Sequence, residues 1–127
     1  MTESIYDQAL KLFTAASDAE DAGDVGSAIK LYKLSAKLGF SPALINLGNW
    51  YDDHSNPREP RKAIALYKRA VALGDEAAAY CLAIHYRNLG QKRWYMYWLK
   101  RSAKMGYEDA IVKIQQLGEA RGERLVE

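Results

Sequence analysis

The chain has 127 residues, a formal net charge of +2, 49% hydrophobic and 27% charged side chains, and a single cysteine. These values fit one domain with a continuous core and exclude a disordered, collagen-like or membrane-spanning chain. Cys81, being alone, excludes an internal disulfide framework and suits a reducing compartment.

The opening MTESIYDQALKL has acids where a secretory signal carries a basic and then an apolar run. It therefore reads as no leader, and cytoplasm is the expected location. A first helix is predicted over about Glu3–Ala22, because Ile5, Ala9, Leu12, Phe13, Ala16 and Ala19 recur at spacings of three and four; Gly23 stops it. Asp24 is the predicted N-cap of a second helix, Val25–Leu38, closed by Gly39. Ser41 as cap and Pro42 in the first turn start a third, Pro42–Asp53. So short a connection predicts antiparallel neighbours. Residues 54–60, HSNPREP, with two prolines and a capping asparagine, form the longest loop. A fourth helix runs to Leu73 before Gly74, and Asp75 caps a fifth, Glu76–Leu89, before Gly90. The sixth, Gln91–Met105, ends at Gly106, and the seventh starts near Glu108 with a charged tail suited to a terminal cap.

Three stretches within this series are versions of one another: SAIKLYKLSAKLGFSPA from Ser27, KAIALYKRAVALGDEAA from Lys62 and WYMYWLKRSAKMGYEDA from Trp94. Their aligned glycines, Gly39, Gly74 and Gly106, lie 35 and 32 residues apart. A period of this length in an all-α chain predicts a right-handed α-solenoid of antiparallel helix pairs. The units fall at about 9–40, 41–74 and 75–106, with a capping helix over 107–125, all in one repeat domain. Small residues at Ala28, Ala63, Gly48 and Ala83 let backbones approach, while Tyr32, Tyr67, Leu47, Leu82, Tyr51 and Tyr86 fill the space between helices.

The pattern K-A-x-x-[WL]-Y-x-[KR]-A-x-x-x-G-x-x-x-A followed by L-G-x-x-Y resembles Sel1-like repeats, relatives of the tetratricopeptide repeat. Ala63, Leu66, Tyr67, Ala70, Gly74 and Ala78 carry it, with Leu47, Gly48 and Tyr51, and less fully Trp98, Ala103, Gly106 and Ala110. Ala83 stands where that family has glycine, and Tyr95 where it has alanine. The resemblance covers most of residues 27–110. It implies a non-catalytic scaffold or adaptor for a protein or peptide partner, including small members that neutralise another protein.

If the first helix of each pair lines the concave side, the register places Phe13 and Ser17, Ile45 and Asn49, Tyr80 and Ile84, and Val112 and Gln116 there, with Glu20, Asp52 and Arg87 at the rim. Such a stripe of apolar groups and amides suits a peptide whose backbone needs hydrogen bonds. In the run Trp94 to Trp98, five large residues point around the whole circumference of one helix, so some must be exposed. Trp98 matches the packing position of the repeat, leaving Trp94 and Tyr97 as candidate anchors. Trp50, next to Tyr51, invites the same reading.

Charge is uneven: residues 1–26 carry one basic and six acidic side chains, 27–105 fourteen and five, and 106–127 three and five. Lys30, Lys33, Lys37, Arg61, Lys68, Arg69, Lys100, Arg101 and Lys104 all fall on second helices, a convex basic ridge that offers an alternative function in association with RNA. The dipole-complementing and solubilising roles of lysine near helix ends explain the same ridge without nucleic acid. Asp52, Asp53, His54 and Glu59 lack the spacing of a metal site, and Cys81 with His85, four apart, lacks a third, orienting group. No phosphate loop or zinc-protease helix motif occurs. The chain is read as neither an enzyme nor a cofactor or metal protein.

Overall fold

Side-chain caps open three of the seven α-helices. The structure is a computed structural model that describes residues 2–122. The Ser4 hydroxyl accepts the Asp7 N–H at 3.0 Å and opens α1 (Ile5–Asp21). Asp24 accepts the Ser27 N–H at 3.1 Å at the head of α2 (Val25–Lys37), and hydrogen bonding from Ser27 holds the Asp24 carboxyl below its ordinary range. Asp75 does the same for α5 (Glu76–Asn88), accepting from the Ala77 N–H at 3.0 Å. These bonds satisfy amides that the first helical turn leaves without partners. At the other ends, Gly39 (φ +86°) and Gly74 (φ +91°) turn the chain through the left-handed region that other residues enter at a cost. The remaining α-helices are α3 (Ser41–Asn49), α4 (Pro60–Ala72), α6 (Lys92–Lys104) and α7 (Glu108–Ala120). Among the described residues there is no strand, and no helix is long and apolar enough to cross a membrane. The expected capping helix over 107–125 is helical to Ala120; residues 123–125 lie outside the described residues.

Three local expectations are corrected. Ser41 is the first residue of α3 rather than its cap: Phe40 holds the N-cap position, and its carbonyl accepts the Ala43 and Leu44 N–H groups at 3.0 and 3.2 Å. The Phe40 ring is seated edge-on against Phe13 and Tyr6, which fixes the extended entry one residue early. Asn56 does not cap α4, which instead starts from the Glu59 carbonyl. The third helix does not run as an α-helix to Asp53. After Asn49 it widens into a π-helix, π1 (Trp50–His54). The cause lies at Ser55, whose N–H reaches the Trp50 carbonyl at 2.8 Å while its hydroxyl takes the Tyr51 carbonyl at 3.1 Å, the acceptor an α-helical amide would have used. Glu59 N–H bonds the same Tyr51 carbonyl at 2.9 Å and ties the loop down.

The chain divides into two compact units, Met1–Leu73 and Gly74–Glu127. In the first, α1 packs on α2, α2 on α3, and α4 on both α3 and π1. Its buried residues alternate between small (Ala9, Ala16, Ala28, Ala43, Ala63) and large (Tyr32, Leu44, Leu47, Tyr51, Tyr67). Such alternation brings backbones close and fills the gaps with rings, each large apolar side chain contributing about 1.5–3 kcal/mol on burial. In the second unit α6 packs on α5 and α7, around Ala78, Leu82, Ala83, Leu99 and Ala110.

A buried serine ties the first helix pair of each unit. Ser35 Oγ donates to the Ala9 carbonyl at 2.8 Å, and Ser102 Oγ donates to the Glu76 carbonyl at 2.9 Å, both across 26 residues of chain. Both serines stand four residues before the aligned glycine of their repeat, where the middle copy has the buried Ala70. The pairs α1/α2 and α5/α6 therefore share a packing register as well as a sequence pattern.

Candidate functional site

The π-helical turn forms part of the wall of a surface cavity in the first unit. Asn46 and Asn49 on α3, and Trp50 and His54 on π1, line a cavity of about 300 Å³ whose opposite wall is formed by the end of α1 and the start of α2. Trp50 and His54, four residues apart, share one face of this turn, and π segments of this kind recur at functional positions.

The cavity's polar groups are held in place from behind. The Tyr32 hydroxyl donates to Glu20 Oε1 at 2.8 Å, and the Ser17 and Asn46 side chains lie near enough to act on it. Burial, then the Glu20 hydrogen bond, holds the Tyr32 hydroxyl above the ordinary phenol range, while Ser17 and Asn46 act in the opposite sense. Tyr67 donates to Asn49 Oδ1 at 2.6 Å. That bond occupies the amide oxygen and fixes the side chain's rotation. Trp50 lies edge-on to the buried Tyr51, with ring centres 5.1 Å apart, and the Lys62 ammonium lies over the Tyr51 ring at 5.1 Å.

The residues named from sequence fall into separate settings. In the first unit Glu20 and Asn49 meet at the cavity, and Ser17 joins it through Tyr32. Phe13 is turned into packing, edge-on to Tyr32 and Phe40 at 5.6 and 5.3 Å. Ile45 and Asp52 are half-buried and do not line the cavity. In the second unit Tyr80 packs on Tyr107 at 5.1 Å, Ile84 is half-buried, and Val112 and Gln116 are exposed. Trp94 and Tyr97 are the exposed members of the aromatic run, at 46% and 48% of their full surface, whereas Trp98 is buried. Tyr86, Trp94, Tyr97 and Trp98 form a chain of ring contacts 5.1–6.1 Å apart, and Arg101 lies over the Trp98 ring at 5.2 Å. Arg87 lines a second cavity, of about 410 Å³, whose walls are Tyr95, Met96 and Leu117 with Lys92 and Arg121.

Sequence reasoning did not pick out Asn46, and it treated Tyr32 only as filler. The signal available for Asn46 is its position three residues before Asn49, which puts two amides on one helical face. His54, weighed from sequence with Asp52, Asp53 and Glu59 as a ligand set, belongs instead to the cavity wall. Among the described residues no three His, Cys, Asp or Glu side chains gather as a metal site requires. Cys81 is half-buried, and His85 is buried with its ring edge-on to Tyr86 at 5.2 Å. No protein-family model matches the chain, and no curated protein matches it significantly.

Proposed function

We propose that the chain is a non-catalytic, Sel1-like helical-repeat module that binds a peptide segment of another protein. On this reading it is an α-solenoid acting in the cytoplasm as an adaptor or as a neutralising partner. The observation that carries it is the cavity of the first unit. Two asparagine amides, a carboxylate and an indole face one opening, each anchored by a buried or half-buried neighbour. Amides of this kind serve the backbone of an extended peptide, and an indole supplies contact area at little entropic cost. The shared packing register of the two serine-tied helix pairs supports the repeat reading.

Panning a random peptide display library against the purified chain tests the proposal. Enriched peptides are expected, with binding weakened by Asn49→Ala under conditions where circular dichroism shows the variant still folded; loss of the Tyr67–Asn49 bond is expected to lower its melting temperature by a few degrees. Failure to enrich any peptide would count against a peptide-binding role. A second reading, association with RNA, is favoured by one observation: all nine cations of the predicted ridge, from Lys30 to Lys104, are exposed. It requires affinity for single-stranded RNA that falls steeply with salt and is lost on changing Lys68, Arg69 and Arg101 to alanine.

A further inference from the structure

We infer that the cavity between α1, α2 and the α3–π1 junction receives an arginine side chain of the bound peptide, held between the Glu20 carboxylate and the Trp50 ring. This rests on the peptide-binding reading above and specifies the residue recognised.

Charge and geometry both lead there. The residues lining the cavity include one carboxylate, Glu20, and no lysine or arginine; His54 is their sole titratable base. Glu20 is not a free surface acid, because Tyr32 fixes its Oε1 at 2.8 Å and so sets the direction in which the carboxylate presents itself. Its position at the end of α1 strengthens the negative potential. The helix dipole places partial negative charge at that end, the last turn of α1 carries no basic residue, and the opposite dipole at the start of α2, on the same wall, is countered by the Asp24 carboxylate that caps it. Asp18, Asp21 and Asp24 extend the field, which steers a cation toward the opening without defining where it sits. The seat is defined by the cavity walls. Trp50, held edge-on to Tyr51, lines the cavity, and an indole takes a planar guanidinium better than an ammonium. The same guanidinium can present paired N–H donors to the carboxylate. Asn46 and Asn49 remain beside this seat for the peptide backbone.

The test uses the full chain and the peptides enriched in the display experiment. Arginine is expected at one fixed position. Replacing that arginine by citrulline, which keeps the shape and removes the charge, is expected to weaken binding about tenfold or more, the range of a charge-assisted pair, and replacement by lysine to weaken it less. In the Glu20→Gln variant, whose amide oxygen can still accept from Tyr32, the preference for arginine over citrulline should shrink to the few-fold that stacking on Trp50 supplies. Asp18→Asn with Asp21→Asn should leave the arginine preference in place. Enriched peptides that depend on Asn49 but show no fixed arginine, or an arginine preference undiminished by Glu20→Gln, would overturn this inference and leave the peptide-binding reading standing. Loss of the preference in the double aspartate variant would reduce the site to a diffuse field and overturn it too. If no peptide is enriched, both fall together.

Discussion

Gly48 is where the packing of the first unit is tightest, and replacing it with alanine sets two known effects against each other. A Cβ built at Gly48 would lie 2.7 Å from Cε1 of Tyr67 and 3.0 Å from its Cδ1. Carbon pairs are most favourable at about 3.5–4.0 Å, so the overlap is close to 1 Å. The ring has little room to yield: it is 2% exposed, and its hydroxyl is tied to Asn49 at 2.6 Å. Overpacking of this kind costs about 1–3 kcal/mol. A ring that swings away instead gives up its hydrogen bond, worth about 0.5–1.5 kcal/mol, along with contact area. Against this, alanine is favoured over glycine within a helix by about 0.8–1.0 kcal/mol. Gly48→Ala should therefore destabilise the protein by up to about 2 kcal/mol, a melting-point loss of as much as several degrees for a chain of this size. Urea or thermal unfolding measures it, and a double-mutant cycle isolates the cause. In a Tyr67→Leu background the opposing ring is gone, so the same Gly48→Ala change should turn stabilising. An equal effect in both backgrounds, or a stabilised single variant, would refute the claim that the ring sets this residue's identity.

Further expectations concern the tethers, the helix ends and pH. Ser102→Ala removes a buried bond to the Glu76 carbonyl and should cost about 0.5–1.5 kcal/mol in chemical denaturation, with Ser35→Ala costing a similar amount. Asp21→Lys places a cation at the end of α1, where none stands, and should raise stability by about 0.3–1 kcal/mol while reducing the association rate of a basic peptide. The Tyr32 hydroxyl is held above its ordinary value by burial and then by Glu20, so the folded chain keeps a proton that the unfolded chain releases near pH 10. Its stabilising contribution is complete below about pH 10 and is lost as pH rises through the folded value. Tyr32→Phe should flatten the alkaline fall in stability. What remains is expected to come in part from Tyr107, raised chiefly by burial and then by Asp109.

Reading along the chain recovered the helices because their determinants are local. The Asp24 and Asp75 caps, the glycines at 39 and 74, and apolar residues at spacings of three and four each act within one or two turns of backbone. The repeat was equally legible, since Ser27, Lys62 and Trp94 open stretches that align without gaps. The site was legible only in part. Glu20, Ser17 and Asn49 were reached by repeat register, which assumes that every turn is α-helical. Phe13 was misplaced by the same register, because Phe40, 27 residues on, offers its ring a partner that no periodicity encodes.

Composition, capping and period thus determine an all-helical chain of seven helices among the described residues, with turns at defined glycines. Tertiary structure alone decides that the Tyr32 and Tyr67 hydroxyls pin Glu20 and Asn49 and that Trp50 becomes the wall of a cavity. The physical reason is the range of the interactions. A cap or a glycine acts on its own backbone, whereas each of these features depends on a side chain meeting a group brought beside it by the packing of another helix or by the return of a loop.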